Sequence, residues 1–365
     1  MKKFLWTILV LIVGVAAYSF WPEAPVDLGD SPQGALNRDA VPTSYDLALE
    51  IDPNESQFKG EVKIAVDLAT TTNRVWLHGR GLSVQSAELI LADQRIIKAN
   101  YKEYGESGVA EVVWAEAIPP QSMHIHIQYQ AEFSDNLNGL YKVNDDNRQY
   151  AFTQMEATHA RQAFPSFDDP QFKTPFNIKI TAPKDLVVIA NTPELKKNVV
   201  GEKVEHVFAT SKPLPTYLLA WAVGELDVVE WQAIPTNGVR SFAVPLRGIA
   251  TKGKGKDLNY ALENTARIFD ALEHYFQIPY PYEKLDLIAV PDFDAGAMEN
   301  AGAITYREQL LLLKDDASAQ QRRSYFTTHT HELAHQWFGN LVTMPWWNDL
   351  WLNESFATWM ETVSY

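Results

Sequence analysis

Two histidines and two glutamates lie close together near the end of the sequence, at spacings that suit metal-assisted hydrolysis. His331 and His335 are four residues apart, so on a helix they project from one face and can ligate one ion together. Glu332 is turned about 100° from His331 and can face a metal-bound water without ligating the metal itself. Catalytic zinc takes three protein ligands, and two histidines with one glutamate are a known set. Glu354 is therefore the predicted third ligand.

The His-Glu-x-x-His string is only a moderate signal by itself, because chance produces it in roughly one in a hundred chains of this length. The alternative interpretation is a surface helix with a side-chain pair at i and i+4. Neighbouring segments favour the metal site, because Gly296–Asn300 lies upstream and Trp337–Asn340 and Trp346–Asp349 fill the interval before Glu354. Their combination argues against chance.

These segments resemble the gluzincin aminopeptidases of the aminopeptidase N and leukotriene hydrolase family. The resemblance covers nearly the whole chain after residue 36. Phe164–Pro170 resembles the Phe-Pro-x-x-Asp-Glu-Pro stretch of that family, and Thr305–Glu308 is a further similar piece. The chain departs from the family pattern at Asp169, Ala301 and Ser355, none of which is a predicted ligand or base.

The resemblance implies particular roles at the site. It implies one zinc ion per chain, Glu332 as the general base, and Glu299 as the group that binds the free α-ammonium of a peptide substrate. Gln154 and Glu156 resemble the family's second clamp on the amino terminus, and as residues two apart on a predicted strand they should share a face. The remaining predicted substrate contacts are Gly296 and Ala297 through their backbone, Met298 in the first side-chain pocket, and Asn300.

The fold class predicted for the chain is α+β with several domains. Short alternating apolar and polar runs indicate an antiparallel β domain over residues 37–248. The resemblance implies that this N-terminal domain is β-sandwich-like and that a thermolysin-like α+β catalytic domain, C-terminally incomplete, follows over 249–365. Its elements begin with a helix over Asp257–Phe276, capped by Asp257, and a strand over Leu285–Val290.

Two further helices should carry the metal ligands. The first is predicted over Arg322–Gly339, where the glycine would end it, and the second over Asn353–Tyr365. The lysines of the 252–256 run, which alternate with glycines, are interpreted as a solvated linker between the domains.

Composition excludes some classes of partner and ligand. The formal charge of −15 and a pI of about 5.0 argue against nucleic acid, because phosphate binding needs clustered basic residues. The chain has no cysteine, so a metal site must use nitrogen and oxygen ligands.

The N-terminus has the pattern of an export segment. Met1-Lys2-Lys3 precedes an apolar run, so residues 1–21 are expected to be either a cleaved signal peptide or a membrane anchor, with residues 4–21 as the tether. Residues 22–36 read as a linker. The folded body is expected to be exported to the periplasm or the extracellular space, free or membrane-anchored.

Two functions of different classes remain open. The first is an exported zinc aminopeptidase, represented here by part of a longer enzyme. The second is a catalytically silent zinc- and peptide-binding fragment. In the family, the tyrosine that stabilises the oxyanion lies some tens of residues after the third zinc ligand, whereas Tyr365 is only eleven residues after Glu354. A leukotriene-type epoxide hydrolase is a weaker third interpretation.

Overall fold

The computed structural model describes residues 31–363. The predicted signal or anchor at 1–21 and most of the predicted linker at 22–36 lie outside these residues, as does Tyr365. Within the described range, no helix combines the length and the apolar character needed to cross a membrane.

The N-terminal part of the described chain is built from strands, as predicted. In chain order these are β1 (Ala40–Glu50), β2 (Gln57–Leu68), β3 (Thr72–His78), β4 (Ser83–Leu91), β5 (Ile96–Tyr104), β6 (Val109–Ile118), β7 (Ser122–Glu132), β8 (Gly139–Asp145), β9 (Arg148–Gln154), β10 (Phe176–Pro183), β11 (Val187–Ala190), β12 (Glu194–Val200), β13 (Lys203–Phe208) and β14 (Trp221–Gly224). They form a ten-stranded sheet of order β12-β13-β10-β1-β2-β7-β4-β5-β6-β3 and a four-stranded sheet of order β11-β14-β9-β8.

Alternating hydrophobicity accounts for these strands. In β2 the side chains of Phe58, Val62, Ile64 and Val66 are buried, while most of those between them are exposed or half-exposed. The pairing is antiparallel throughout the large sheet except where β1 runs parallel to β10. The predicted β-rich N-terminal domain is therefore confirmed.

A third sheet carries part of the candidate site. It contains β15 (Leu226–Glu230), β16 (Leu246–Thr251), β17 (Leu285–Val290), β18 (Ala297–Met298) and β19 (Ala303–Arg307), in the order β15-β16-β17-β19-β18. β17 is buried along its whole length and has the predicted bounds. The six-residue run Leu285–Val290 is a buried strand because parallel neighbours cover both of its edges.

The change of sheet occurs earlier in the chain than the predicted domain boundary. β14 ends at Gly224 in the four-stranded sheet and β15 begins at Leu226 in the five-stranded sheet, whereas the boundary predicted at residue 248 falls inside β16. Lys254, predicted to lie in a solvated linker, instead pairs with Asp145 at 2.9 Å and with Glu308 at 2.7 Å. This pairing joins the segment to elements on both sides of it.

The helices are α1 (Asn259–Phe276), α2 (Glu308–Leu311), α3 (Ala319–His335) and α4 (Leu350–Val363). α1 starts two residues later than predicted, because Asp257 lies in the 3₁₀ turn Gly255–Leu258 and does not cap it.

α3 and α4 also differ from their predicted bounds. α3 begins at Ala319 because Ser318 forms a capping box with Gln321. It ends at His335, four residues before the predicted end at Gly339, where φ is +124°. α4 begins at Leu350, directly after a short 3₁₀ turn, and therefore three residues before the predicted start.

Helix α3 is held by polar contacts to its neighbours. The Tyr325 hydroxyl donates to the Ala261 carbonyl of α1 at 2.9 Å. The buried ring of His329 contacts the Tyr306 hydroxyl of β19 at 2.6 Å and the Thr265 hydroxyl of α1 at 3.0 Å. Burial lowers the pKa of His329 to about 3, so this histidine stays neutral and serves as a packing contact. These bonds fix the helix face that carries His331 and His335.

Candidate metal centre and substrate cleft

The structure brings together the three predicted metal ligands. His331 and His335 lie one turn apart on α3, and their Nε2 atoms are 3.0 Å apart. Glu354, from α4, places Oε2 3.3 Å from His331 Nε2 and Oε1 3.7 Å from His335 Nε2. One ligand atom from each of the three residues lies within 4.8 Å of the others. Burial acts to raise the pKa of Glu354, but its contacts with both histidines outweigh burial and lower it.

The outer nitrogens of both histidines have partners that orient the rings. His335 Nδ1 lies 2.9 Å from the Phe338 carbonyl, which can only accept, so Nδ1 carries the hydrogen and Nε2 presents its lone pair inward. His331 Nδ1 lies 2.8 Å from Glu361 Oε1. Such partners set the tautomer and ring orientation of metal ligands. Glu361 had no predicted role, although its position two helical turns after Glu354 places both residues on one face of α4.

These donors fit a metal ion. Two nitrogens at the usual zinc distance in tetrahedral geometry lie about 3.3 Å apart, close to the observed Nε2 separation. The set contains two imidazole nitrogens and one carboxylate, which is a ligand combination of catalytic zinc sites.

Glu332 lies beside this set without belonging to it. Its side chain is 6% exposed and lines the cleft, and its Oε2 atom has no hydrogen-bond partner among the described residues. Burial, with the nearby charge of Glu299 second, raises its pKa well above the ordinary value. A buried carboxyl group that readily holds a proton is suited to proton transfer.

A second cluster, which contains only carboxylates, shares Glu354 with the candidate metal ligands. One oxygen each of Glu156, Glu299 and Glu354 lies within 4.8 Å of the others. Burial, followed by the charges of Glu299 and Glu354, raises the pKa of Glu156 to about 8. Burial, followed by the charge of Glu354, raises the pKa of Glu299 to about 7. The structure thus places both predicted amine-binding glutamates next to the metal ligands.

Gln154 does not share a strand face with Glu156, so that prediction is wrong. β9 ends at Gln154 because its partner β8 begins at the opposing residue, Gly139, and Glu156 lies in the following turn. The Gln154 amide points to Met298, with Nε2 3.5 Å from the sulfur. Glu156 lines the cleft, whereas Gln154 does not.

The predicted segment Gly296–Asn300 divides into two parts. Gly296 and Ala297 line the cleft, and Ala297 belongs to β18 at the edge of the five-stranded sheet. Met298 is 1% exposed and does not line the cleft. Asn300 is fully buried and bonds to Leu219 and Thr305, so it holds the loop and does not face the cleft.

The backbone at Glu299 is tied to the end of α3. The Glu299 carbonyl accepts hydrogen bonds from Gln336 Nε2 at 3.0 Å and from Asn340 Nδ2 at 2.8 Å. Gln336 Oε1 in turn accepts from the Gly302 amide at 3.2 Å. Lys284 donates to the Gly302 carbonyl at 2.8 Å. Asn340 lies in the predicted motif Trp337–Asn340, but its side chain had no predicted role.

The cleft over the candidate metal ligands and the carboxylate cluster has a volume of about 540 Å³. Its acidic lining consists of Glu156, Glu299, Glu332, Glu354 and Glu361. No lysine or arginine of the described chain lines it. The cleft therefore favours cationic groups over anionic ones.

Comparison with known families gives two adjacent matches. A model of the Peptidase M1 N-terminal domain matches residues 41–218, and a model of the Peptidase family M1 domain matches residues 260–365. Together they match most of the chain and confirm the resemblance identified from the motifs.

Curated relatives agree with these matches. Endoplasmic reticulum aminopeptidase 2 of Bos taurus is 37% identical over 89% of this chain and 35% of its own length. Aminopeptidase M1 of Arabidopsis thaliana is 37% identical over 90% of this chain and 37% of its own length. Aminopeptidase M1-B of Oryza sativa subsp. japonica is 35% identical over 91% of this chain and 37% of its own length. The chain thus spans little more than a third of the length of these relatives, and it belongs to peptidase family M1.

Proposed function

We propose that this chain is the part of a zinc-dependent aminopeptidase that contains the metal site and the amine-binding site, and that it removes the N-terminal residue from peptides. The observation that carries the proposal is the shared position of Glu354, which belongs both to the candidate metal ligands and to the Glu156–Glu299 carboxylate group. This arrangement would place the amino terminus of a peptide within one residue of the hydrolytic centre. The names of the relatives support the same activity.

Zinc is the ion that suits the two histidines and Glu354 best, since the set has nitrogen and oxygen donors and the chain lacks cysteine. When bound, zinc polarises a scissile carbonyl and lowers the pKa of a water molecule toward neutrality. The outer partners of the histidines keep both Nε2 atoms directed inward for this purpose.

Glu332 acts as the general base and then as the acid. Its carboxylate accepts a proton from the attacking water and returns one to the departing amine nitrogen. Its buried environment raises the pKa, which favours keeping the proton between the two steps. A side chain in this role contributes on the order of 10² to 10⁴ in rate.

Glu299 and Glu156 bind the substrate ammonium. Both have a buried Oε1 atom with no hydrogen-bond partner among the described residues, and an ammonium group has three donors to offer such atoms. An N-acetylated peptide loses that charge and two of those donors, so it should bind poorly. This selectivity is what separates an aminopeptidase from an endopeptidase with the same metal ligands.

The backbone of the extended peptide would lie along β18. Ala297 and Met298 pair with β19 on one side, and β18 has no further strand on its other side within the described sheet. Strand addition to such an edge aligns a peptide by main-chain hydrogen bonds. Gly296 and Ala297 thus provide backbone groups at the cleft wall.

We also infer that the folded part is exported, with residues 1–21 serving as a cleaved signal or as a membrane anchor. The charged start and short apolar run support export. Fractionation of cells that produce the tagged protein tests this: export requires the protein to appear in the periplasmic, secreted or membrane fraction, and a cytosolic location would refute it.

The test of the function is zinc analysis combined with hydrolysis of an aminoacyl anilide and its N-acetylated counterpart, using the full chain and its Glu332→Gln variant. The proposal predicts one zinc per chain, cleavage only of the free-amine substrate, and loss of cleavage in the variant with zinc content unchanged. Zinc binding without turnover would instead favour the silent metal- and peptide-binding module. Absence of bound zinc would refute the metal site.

A further inference from the structure

We propose that Glu156, Glu299 and Glu354 form a second cation site that binds a divalent metal ion through three carboxylate oxygens, adjacent to the first metal centre. The site shares Glu354 with the ligand set His331, His335 and Glu354, and in this respect it rests on the metal centre proposed above. It does not depend on peptide hydrolysis. A metal ion there and the ammonium group of a peptide would exclude each other.

The three oxygens are close enough to bind one ion. They all lie within 4.8 Å of one another. Divalent ions with oxygen ligands have metal–oxygen distances of about 2.0–2.6 Å, so two ligands of one ion can be separated by up to about 5 Å. The observed separations therefore need little movement of the side chains.

Unpaired buried oxygens give an independent reason to place a cation here. Glu299 is 3% exposed, lines the cleft, and has an Oε1 atom without a hydrogen-bond partner among the described residues. Glu156 Oε1 is likewise buried and unpaired. A buried carboxylate without a partner is costly, and a bound cation removes that cost.

The protein itself offers little positive charge at this place. No lysine or arginine of residues 31–363 lines the cleft. His331 and His335 have their inner nitrogens directed at Glu354, so they serve the first centre. A bound cation would therefore supply a counter-charge that no lysine or arginine of the described cleft lining provides to Glu156 and Glu299.

The two sites differ in donor chemistry, which allows them to be loaded separately. The first offers two nitrogens and one oxygen, a set that suits zinc, whereas the second offers oxygens only. Carboxylate sites suit Mn²⁺, and Mn²⁺ is the weakest binder in the first-row series at nitrogen-containing sites. Mn²⁺ should thus bind the second site without displacing zinc from the first.

The experiment is a titration of the zinc-loaded full chain with Mn²⁺. Binding is measured as the loss of the electron paramagnetic resonance signal of free Mn²⁺. We expect one Mn²⁺ per chain beyond the zinc. Glu156→Gln and Glu299→Gln should each weaken this binding on the order of tenfold or more, because each removes one charged ligand. Both variants should retain one zinc per chain, which checks that the site is folded.

A matched control removes a carboxylate from a different cavity. Glu55 lies in a different cleft, with Glu50 and Asp52, between β1 and β2 of the ten-stranded sheet, whereas β18 belongs to the five-stranded sheet. Glu55→Gln should therefore leave the Mn²⁺ affinity unchanged. Absence of Mn²⁺ binding beyond the zinc would overturn the proposal. So would binding that neither Glu156→Gln nor Glu299→Gln weakens, since the ion would then lie elsewhere.

Competition with an amine links the site to the cleft. Leucine amide should release the bound Mn²⁺ and restore its signal, whereas N-acetyl-leucine amide should not. Mn²⁺ binding that depends on Glu156 and Glu299 supports the second site even if the chain has no peptidase activity, so the two proposals can fail separately. Bound Mn²⁺ that saturating leucine amide does not release would refute the mutual exclusion.

Discussion

The two amides that hold the Glu299 carbonyl should be energetically coupled. Gln336 and Asn340 both donate to this carbonyl, and they are the only donors to it among the described contacts. We consider Gln336→Met and Asn340→Leu, which keep the approximate volumes, and the double variant. Each single variant leaves the carbonyl with one donor, whereas the double variant leaves it with none.

The magnitudes follow from the number of buried groups left without a partner. Asn340→Leu removes one of two donors together with an Oδ1 atom that is already unpaired, so we expect a loss of about 1 kcal/mol in the free energy of unfolding. Gln336→Met also leaves the Gly302 amide without its acceptor, so the expected loss is larger, about 1–3 kcal/mol. The double variant should exceed the sum of the single losses by about 1–3 kcal/mol, because only then is the Glu299 carbonyl unpaired.

The assay is urea unfolding of the four proteins under identical zinc loading, analysed as a double-mutant cycle. Because the carbonyl belongs to Glu299, the proposed amine-binding residue, we also expect each single variant to raise KM for a free-amine anilide while zinc content stays at one per chain. A strictly additive cycle would refute the reasoning, since it would mean that the two amides do not stabilise the same group. Unchanged KM in both single variants would refute the positioning role.

Three further predictions concern stability. Glu273→Gln should lower the free energy of unfolding by about 3–5 kcal/mol in urea melts, because it leaves the fully buried Arg240 guanidinium without its anionic partner; a loss below about 1 kcal/mol would contradict this. Ser318→Ala should cost about 1 kcal/mol by removing the capping box with Gln321, and Ser318→Asp should restore most of it. In metal-free folded protein, the pKa of Glu156 is raised to about 8, whereas in the unfolded chain it has its ordinary value of 4.5. Between these two pH values the folded state binds one more proton than the unfolded state, so the melting temperature should fall as the pH rises. Glu156→Gln should flatten that fall, and an identical pH profile would disprove the assignment.

The proposed metal ligands could be placed next to each other from the sequence because their geometry is local. His331 and His335 lie on one helix, so their separation follows from helical periodicity alone. The start of α3 was also encoded, since Ser318 and Gln321 have the spacing of a capping box, but the prediction placed the start at Arg322. Its end depends on the loop that follows, which sequence periodicity does not describe.

The environment of Glu299 could not be predicted in the same way, because its contacts are distant in sequence. The donors to its carbonyl are 37 and 41 residues away in the chain. The failure at Gln154 has a similar origin: β9 ends where its partner β8 begins, and a period-two pattern gives no information about the length of a partner strand.

The two halves of the cleft therefore differ in how they respond to mutation. The proposed metal ligands come from α3 and α4, which are consecutive helices in the chain, so their geometry should survive changes in the N-terminal sheets. Glu156 follows β9 of the four-stranded sheet, whereas Glu299 follows β18 of the five-stranded sheet, so their separation depends on how these two sheets pack. Asn191 joins the two regions, since its Nδ2 donates to the Leu218 carbonyl at 2.9 Å and to the Ala301 carbonyl at 3.0 Å. Loosening that junction should weaken recognition of the amine before it weakens metal binding.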